Sequence, residues 1–194
     1  MKTREVEIKI GEKKINGNLN IPGNTKAIIL FAHGSGSSRF SSRNQYVAEV
    51  LNKAGFATLL MDLLTKEEEI IDGQTGEFRF NIEFLADRLS DTTKWLKENI
   101  ETKNLKIGYF GSSTGAGAAL IAAAKYPTYV KTIVSRGGRP DLAIPYLKKV
   151  KSSVLLIVGG DDTAVIGMNE KALEELNTEK KLEIIQGATH LFEE

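Results

Sequence analysis

Tyr109-Phe110-Gly111-Ser112-Ser113-Thr114-Gly115-Ala116-Gly117 is the stretch on which the fold turns. Before it, Leu105 to Phe110 is short, apolar and bounded by charged and turn residues, which predicts a buried strand. After it, Ala116 to Lys125 is rich in alanine, leucine and isoleucine, which predicts a helix packed closely on a sheet. Between them lies Gly-x-Ser-x-Gly, centred on Ser113. A serine on so sharp a strand-to-helix turn needs an unusual backbone, and Gly111 and Gly115 have no side chain to obstruct it. The turn lifts the Ser113 hydroxyl to the C-terminal edge of the sheet, at the positive end of the following helix. The same pattern also describes a plain Gly/Ser turn of an α/β protein, so the rest of the chain decides between nucleophile and turn.

Outward from this stretch, strand and helix alternate. Val6, Ile8 and Ile10 alternate with charged residues, and Ile15 to Ile21 returns after the turn Gly11-Glu12-Lys13-Lys14. Together they predict an antiparallel hairpin at one sheet edge. Ala27 to Ala32 is a continuous apolar run, as in a central strand covered on both faces. Asn44 to Ala54 has helical spacing and stops at Gly55. Ala57 to Met61, Thr132 to Ser135, Val154 to Val158 and Leu182 to Ile185 predict further strands. Ile82 to Ile100 and Met168 to Leu176 predict helices, the first with Phe84, Leu85, Leu89, Trp95 and Leu96 inward. Leu63 to Phe80 is polar and Gly-containing. It predicts an excursion from the sheet, either a small lid or a solvated loop, and it is too short for a cap domain. The expected architecture is one domain over residues 1–194. It is a mostly parallel sheet of about 7–8 strands with an antiparallel N-terminal hairpin, helices on both faces and no large cap domain.

Sites in such sheets lie at the C-terminal ends of the strands. His33, Asp62, Ser113, Arg136, Asp162 and His190 all follow apolar runs. A serine hydroxyl is a poor nucleophile until a base takes its proton. The chain has 2 histidines. His190, in Gly187-Ala188-Thr189-His190 after the last strand, is placed to reach back over the sheet; the plainer reading is a surface-loop histidine. A base of this kind needs a carboxylate to orient it. Val158-Gly159-Gly160-Asp161-Asp162 offers two, and the spacing Gly159-x-x-Asp162-x-x-Val165 favours Asp162, with Asp161 as a turn residue or helix cap. A tetrahedral intermediate needs two donors. Thr114 supplies one amide, and the loop His33-Gly34-Ser35-Gly36-Ser37-Ser38 supplies the other, with Ser35 as the preferred donor. Gly34 and Gly36 let backbone N–H groups face a substrate, and His33 is expected to hold the loop. A phosphate-binding turn is the alternative reading, but no Walker or dinucleotide fingerprint is completed. Arg39, Arg136 and Arg139 near the site mouth would favour an anionic substrate or, more plainly, pair with carboxylates of the chain. Asp62 is a second-choice acid.

Bulk properties set the frame. The 194 residues are 41% hydrophobic and 26% charged, with 26 basic and 25 acidic residues giving a formal charge of +1. A globular domain with a sizeable core is expected, and there is no electrostatic case for nucleic acid or an anionic membrane. With 0 cysteines, disulfides, thiolate catalysis and Cys-ligated metals are excluded, and no metal site is expected. No secretory signal or membrane-spanning run is visible, so the expected location is cytoplasmic.

Several motifs now agree. Phe31-Ala32-His33-Gly34-Ser35-Gly36-Ser37-Ser38-Arg39, Gly111-Ser112-Ser113-Thr114-Gly115-Ala116, Ser135-Arg136-Gly137-Gly138-Arg139-Pro140-Asp141-Leu142, Leu156-Ile157-Val158-Gly159-Gly160 and Gly187-Ala188-Thr189-His190-Leu191-Phe192 resemble the dienelactone hydrolase-like branch of the α/β-hydrolases. The order Ser113, Asp162, His190 is the α/β-hydrolase order. The resemblance implies the α/β-hydrolase fold and a cofactor-free serine hydrolase that cleaves an ester, thioester or lactone through an acyl-enzyme on this triad. An acyltransferase, or a non-catalytic ligand-binding protein on the same fold, are the rival readings. Dienelactone hydrolases use a cysteine nucleophile, which this chain lacks, so dienelactone itself is not the expected substrate. The family also ends in a helix after the histidine loop. Here four residues follow His190, and the expectation is an apolar strip of sheet covered by a partner subunit, as in a homo-oligomer, or by further sequence.

Overall fold

The computed structural model describes residues 3–193. Eight strands form one sheet: β1 (Arg4–Ile10), β2 (Lys13–Asn20), β3 (Ala27–Ala32), β4 (Ala57–Met61), β5 (Lys106–Ser112), β6 (Val130–Arg136), β7 (Ser153–Gly159) and β8 (Lys180–Ile185). Their spatial order is β1-β2-β4-β3-β5-β6-β7-β8. β1 and β2 pair antiparallel, and so do β2 and β4; every pairing from β4 to β8 is parallel. The predicted edge hairpin and parallel remainder are therefore both present.

The helices are α1 (Ser42–Lys53), α2 (Lys66–Thr75), α3 (Ile82–Glu98), α4 (Thr114–Lys125), α5 (Ile144–Leu147) and α6 (Thr163–Glu175), with a 3₁₀ turn at Pro140–Ala143. Strand alternation divides the core. Ile28 and Leu30 of β3, Ile107 and Tyr109 of β5, and Ile133 of β6 join Leu85, Leu89 and the alanines of α4 in the larger cluster. Phe31, Leu60 and Phe110 join Ala48 of α1 on the opposite face. The Phe31 and Phe110 rings lie 5.0 Å apart. A two-residue period sends neighbouring side chains to opposite faces, so a continuous apolar run is what a strand covered on both sides requires. Helix α4 is buried from Thr114 to Ala124. Its glycines and alanines let it lie close against the sheet. The Tyr109 hydroxyl, buried under α3, is satisfied by Thr93 Oγ1 at 2.5 Å.

Two expectations change. The segment 63–80 carries α2, a ten-residue helix. Its N-terminus is a capping box: the Thr65 hydroxyl accepts from the Glu68 amide, while the Glu68 carboxylate accepts from the Thr65 amide. Gly76 closes it in the left-handed conformation, φ 66°. The buried side of α2 is ionic, with Glu68 bound to Arg88 and Lys13 and Asp72 bound to Arg79. Polarity therefore marks how this helix is anchored, which an apolar-periodicity reading passes over. Second, α6 begins at Thr163, directly after Asp162, rather than at Met168. Phe84 and Trp95 are only partly buried, while Leu85, Leu89 and Leu96 are in the core. On the α1 face of β6 and β7, Val134, Leu155 and Ile157 are half-buried.

Candidate active site

The parallel register aligns the C-terminal ends of β3, β5, β6 and β7. Ala32 pairs with Gly111, Ser112 with Arg136, and Arg136 with Ile157. Each following loop therefore opens at one sheet edge.

Ser113 sits at φ 50°, ψ −123°. A non-glycine residue in that region costs on the order of 1–3 kcal/mol and persists only when its surroundings hold it. They do. The Ser113 amide donates to the Arg136 carbonyl at 3.3 Å, and the Ser113 carbonyl accepts from the Arg139 and Ala116 amides at 3.0 and 3.1 Å. A Cβ on Gly111 would lie 2.5 Å from Ala116 Cα, and one on Gly115 would lie 2.3 Å from the Ala32 carbonyl oxygen. Both glycines are dictated by close approach of strand, loop and helix. Thr114 is the first residue of α4, so its amide is among the donors a helix N-terminus leaves unpaired by backbone.

The loops after β7 and β8 meet. The Gly160 amide donates to Ile185 O at 2.7 Å, and the Asp161 amide to Ala188 O at 3.0 Å. A Cβ on Gly159 would lie 2.3 Å from Ala188 O. This contact brings His190 Nδ1 to 2.6 Å from Asp162 Oδ2. Asp162 is the aspartate that reaches the histidine; Asp161 points into solvent. Gly137, at φ 52°, passes beneath His190: a Cβ there would be 3.5 Å from His190 Nδ1. Ser113 is bonded to Arg136 and His190 lies over Gly137, so the two flank one dipeptide.

The other sequence-predicted residues fall into place around them. His33 donates from Nδ1 to the Gly34 carbonyl at 2.9 Å, and its Nε2 accepts from the Leu63 amide at 3.3 Å. An accepting Nε2 requires the neutral ring. Burial lowers its pKa below the ordinary imidazole value, against the Gly34 bond and Asp62. The Ser35 amide donates to Thr114 Oγ1 at 3.0 Å. Ser35 Oγ donates to the Arg79 carbonyl at 3.3 Å, which leaves Thr114 Oγ1 to donate to Ser35 Oγ at 2.9 Å. Gly34 packs on the Ser113 turn, a Cβ there being 3.1 Å from Ser113 Cβ.

The arginines are committed within the chain. Arg39 pairs with Asp62 and Glu5, its amide also donating to Asp62 Oδ1 at 3.0 Å. That places Asp62 as an anchor of the loop. Arg139 grips Asp141 with two bonds, 2.9 and 2.8 Å. Arg136 donates from Nη2 to Ser112 Oγ at 2.9 Å and from Nη1 to the Leu191 carbonyl at 3.3 Å. It joins the shoulder of the elbow to the loop that carries His190.

A cavity of about 500 Å³ opens beside the loop that follows β3. Its lining mixes Leu63, Leu64 and Leu85 with the serines Ser35, Ser37, Ser38 and Ser41 and the charged Glu69, Asp72 and Arg79. The α2 contribution was missed from sequence; the signals that mark it are Thr65-x-x-Glu68 and Gly76. Among the described residues no cluster of three or more His, Asp or Glu side chains fits a metal ion. No described helix is long and apolar enough to cross a membrane.

The sequence model of the dienelactone hydrolase family matches residues 15–194. A crystallised dienelactone hydrolase from Anabaena variabilis is 60% identical with a TM-score of 0.98, covering 100% of this chain and 89% of that one. A dienelactone hydrolase-like promiscuous phosphotriesterase from metagenomic libraries (18% identity, TM-score 0.75, 100% and 84% covered) and a Pyrococcus furiosus esterase (20%, 0.77, 95% and 83%) share the fold. Curated relatives from two strains of Mycobacterium tuberculosis, provisionally named phosphoribosyl transferases, are 51% identical over 194 residues. The chain spans 43% of their length.

Proposed function

The chain belongs to the dienelactone hydrolase family, and from that premise we propose that it is a serine hydrolase. It cleaves a carboxylic ester, thioester or lactone through an acyl-enzyme on Ser113. The observation that carries the reading is the 2.6 Å contact of His190 Nδ1 with Asp162, beside a serine held in a strained elbow. Asp162 keeps the Nδ1–H tautomer, leaving Nε2 as the acceptor for the Ser113 proton. Attack on the carbonyl carbon moves its electrons onto the oxygen, and the Thr114 and Ser35 amides receive that charge. In the free protein the Thr114 hydroxyl occupies the Ser35 amide, and the oxyanion takes its place. The imidazolium then protonates the leaving group, and a water deprotonated by His190 releases the acid.

The transferase name of the mycobacterial relatives belongs to proteins more than twice this length, and the shared region is the one that matches the hydrolase family. For this reason we assign hydrolysis to it. In the test, Ser113→Ala loses p-nitrophenyl acetate turnover by at least about a thousandfold while keeping its circular dichroism spectrum. A variant that keeps its activity overturns the nucleophile. A fluorophosphonate probe that fails to label wild-type Ser113 favours a non-catalytic binding protein instead.

A further inference from the structure

Resting on the serine-hydrolase reading, we propose that the acyl group of the substrate is uncharged and occupies the cavity beside the oxyanion loop. Glu69 at its rim turns away acyl groups that carry a carboxylate.

Orientation comes first. The leaving group must receive its proton from His190. His190 lies against Gly137 and Asp162, and neither of them lines the cavity. The cavity lies on the other side of the elbow, where Gly34 touches Ser113 and Ser35 bonds Thr114. A carbonyl held by the Thr114 and Ser35 amides, with its leaving group toward His190, directs its acyl chain into the cavity.

Chemistry comes second. Its uncharged lining mixes Leu63, Leu64 and Leu85 with the hydroxyls of Ser35, Ser37, Ser38 and Ser41. Arg79 is the cation in the wall, and Asp72 uses it up. Asp72 Oδ2 accepts from Arg79 Nε at 2.5 Å, and the Asp72 carbonyl accepts from Arg79 Nη2 at 2.8 Å. His33 is neutral. Glu69 has no ion-pair partner among the described residues, and burial with Asp62 nearby raises its pKa. Arg39 and Lys66 oppose this, but Arg39 is shared between Asp62 and Glu5, and Lys66 is exposed. A carboxylate entering this cavity would find serine hydroxyls but no free cation, since Arg79 is bound to Asp72 and Glu69 is a like charge, and burying it without a counter-ion is costly. The 500 Å³ volume suits an acyl chain of moderate length.

Two esters matched in chain length decide the matter: p-nitrophenyl pentanoate and mono-p-nitrophenyl glutarate, compared at pH 8. The pentanoate is expected to have the higher kcat/KM by about tenfold or more. Glu69→Gln is expected to close most of that gap through the KM of the glutarate, and 1 M salt to narrow it in the wild type, because Glu69 acts through partly solvated space. Leu64→Trp, which fills the cavity, is expected to slow the pentanoate more than the acetate. Equal or better use of the glutarate, an unchanged ratio in Glu69→Gln, or parallel loss of acetate and pentanoate in Leu64→Trp overturns the proposal. If Ser113 takes a fluorophosphonate label but neither ester turns over, the acyl class is wrong and the nucleophile stands. If Ser113 takes no label, the serine-hydrolase reading fails first.

Discussion

Arg136 shows how far a residue's neighbours can redirect its reading. At a strand end beside Ser113, a cation suggests a hand for an anionic substrate. In the fold it bridges Ser112 Oγ and the Leu191 carbonyl, so its guanidinium fork spans the two loops that must stay in register. We expect Arg136→Met to lower kcat by about tenfold or more, since displacing a reacting group by an ångström is that costly. KM for a neutral ester should stay within about twofold. Steady-state kinetics separate the cases: a raised KM at unchanged kcat would mean that Arg136 touches substrate. Ser113, His190 and Asp162 were legible as candidates because the proposed chemistry depends on residue type and order along the chain. The choice between Asp161 and Asp162 rested on one turn spacing, and it is the two-loop contact at Gly159 that brings Asp162 to the imidazole.

At the scale of elements, α2 is the instructive case. Its inward positions are Glu68 and Asp72, and Ile70 and Ile71 face outward, 68% and 46% exposed. The helix is held by bonds rather than by an apolar stripe. Asp72 Oδ1 accepts from the Phe78 and Arg79 amides at 2.8 and 2.9 Å, and Oδ2 takes Arg79 Nε. Asp72→Ala would orphan those donors, at a cost of roughly 1–3 kcal/mol. In hydrogen exchange, Phe78 and Arg79 should lose protection while the β5 amides keep theirs. Uniform loss across the sheet would show instead that α2 is integral to global folding. Helix α4 is the opposite case. Its alanines and glycines admit only close packing, and its burial is readable in the sequence.

For the whole molecule, the sheet order β1-β2-β4-β3-β5-β6-β7-β8 brings every candidate group to one edge. The same compactness carries a pH signature. His33 is buried and neutral, with its folded pKa depressed. The unfolded chain therefore binds the extra proton first as pH falls, and stability declines from about pH 6.5 downward. Asp72 and Glu68 add a second, more acidic phase. Burial raises both carboxyls, but bonds from Arg79 and the Phe78 amide to Asp72, and from Lys13, the Thr65 amide and Arg88 to Glu68, leave both below the ordinary value. Urea titrations between pH 8 and 4 should show unfolding free energy level above about pH 7 and falling below about pH 6.5. A curve flat down to pH 5 would contradict a buried neutral His33.

By itself the sequence determined the strand-and-helix alternation, the elbow and the order of serine, acid and base. These follow from hydrophobic period, from glycines that tolerate close approach, and from residue chemistry, all of which are local. Tertiary structure alone decided which aspartate meets His190, that Arg39 is already paired with Asp62, and that segment 63–80 folds into a cavity wall. Those outcomes depend on partners distant in the chain: Asp72 and Arg79 lie seven residues apart, Arg39 and Asp62 twenty-three, Asp162 and His190 twenty-eight. A charged residue carries no mark in the sequence of whether its counter-ion will be a substrate or its own protein.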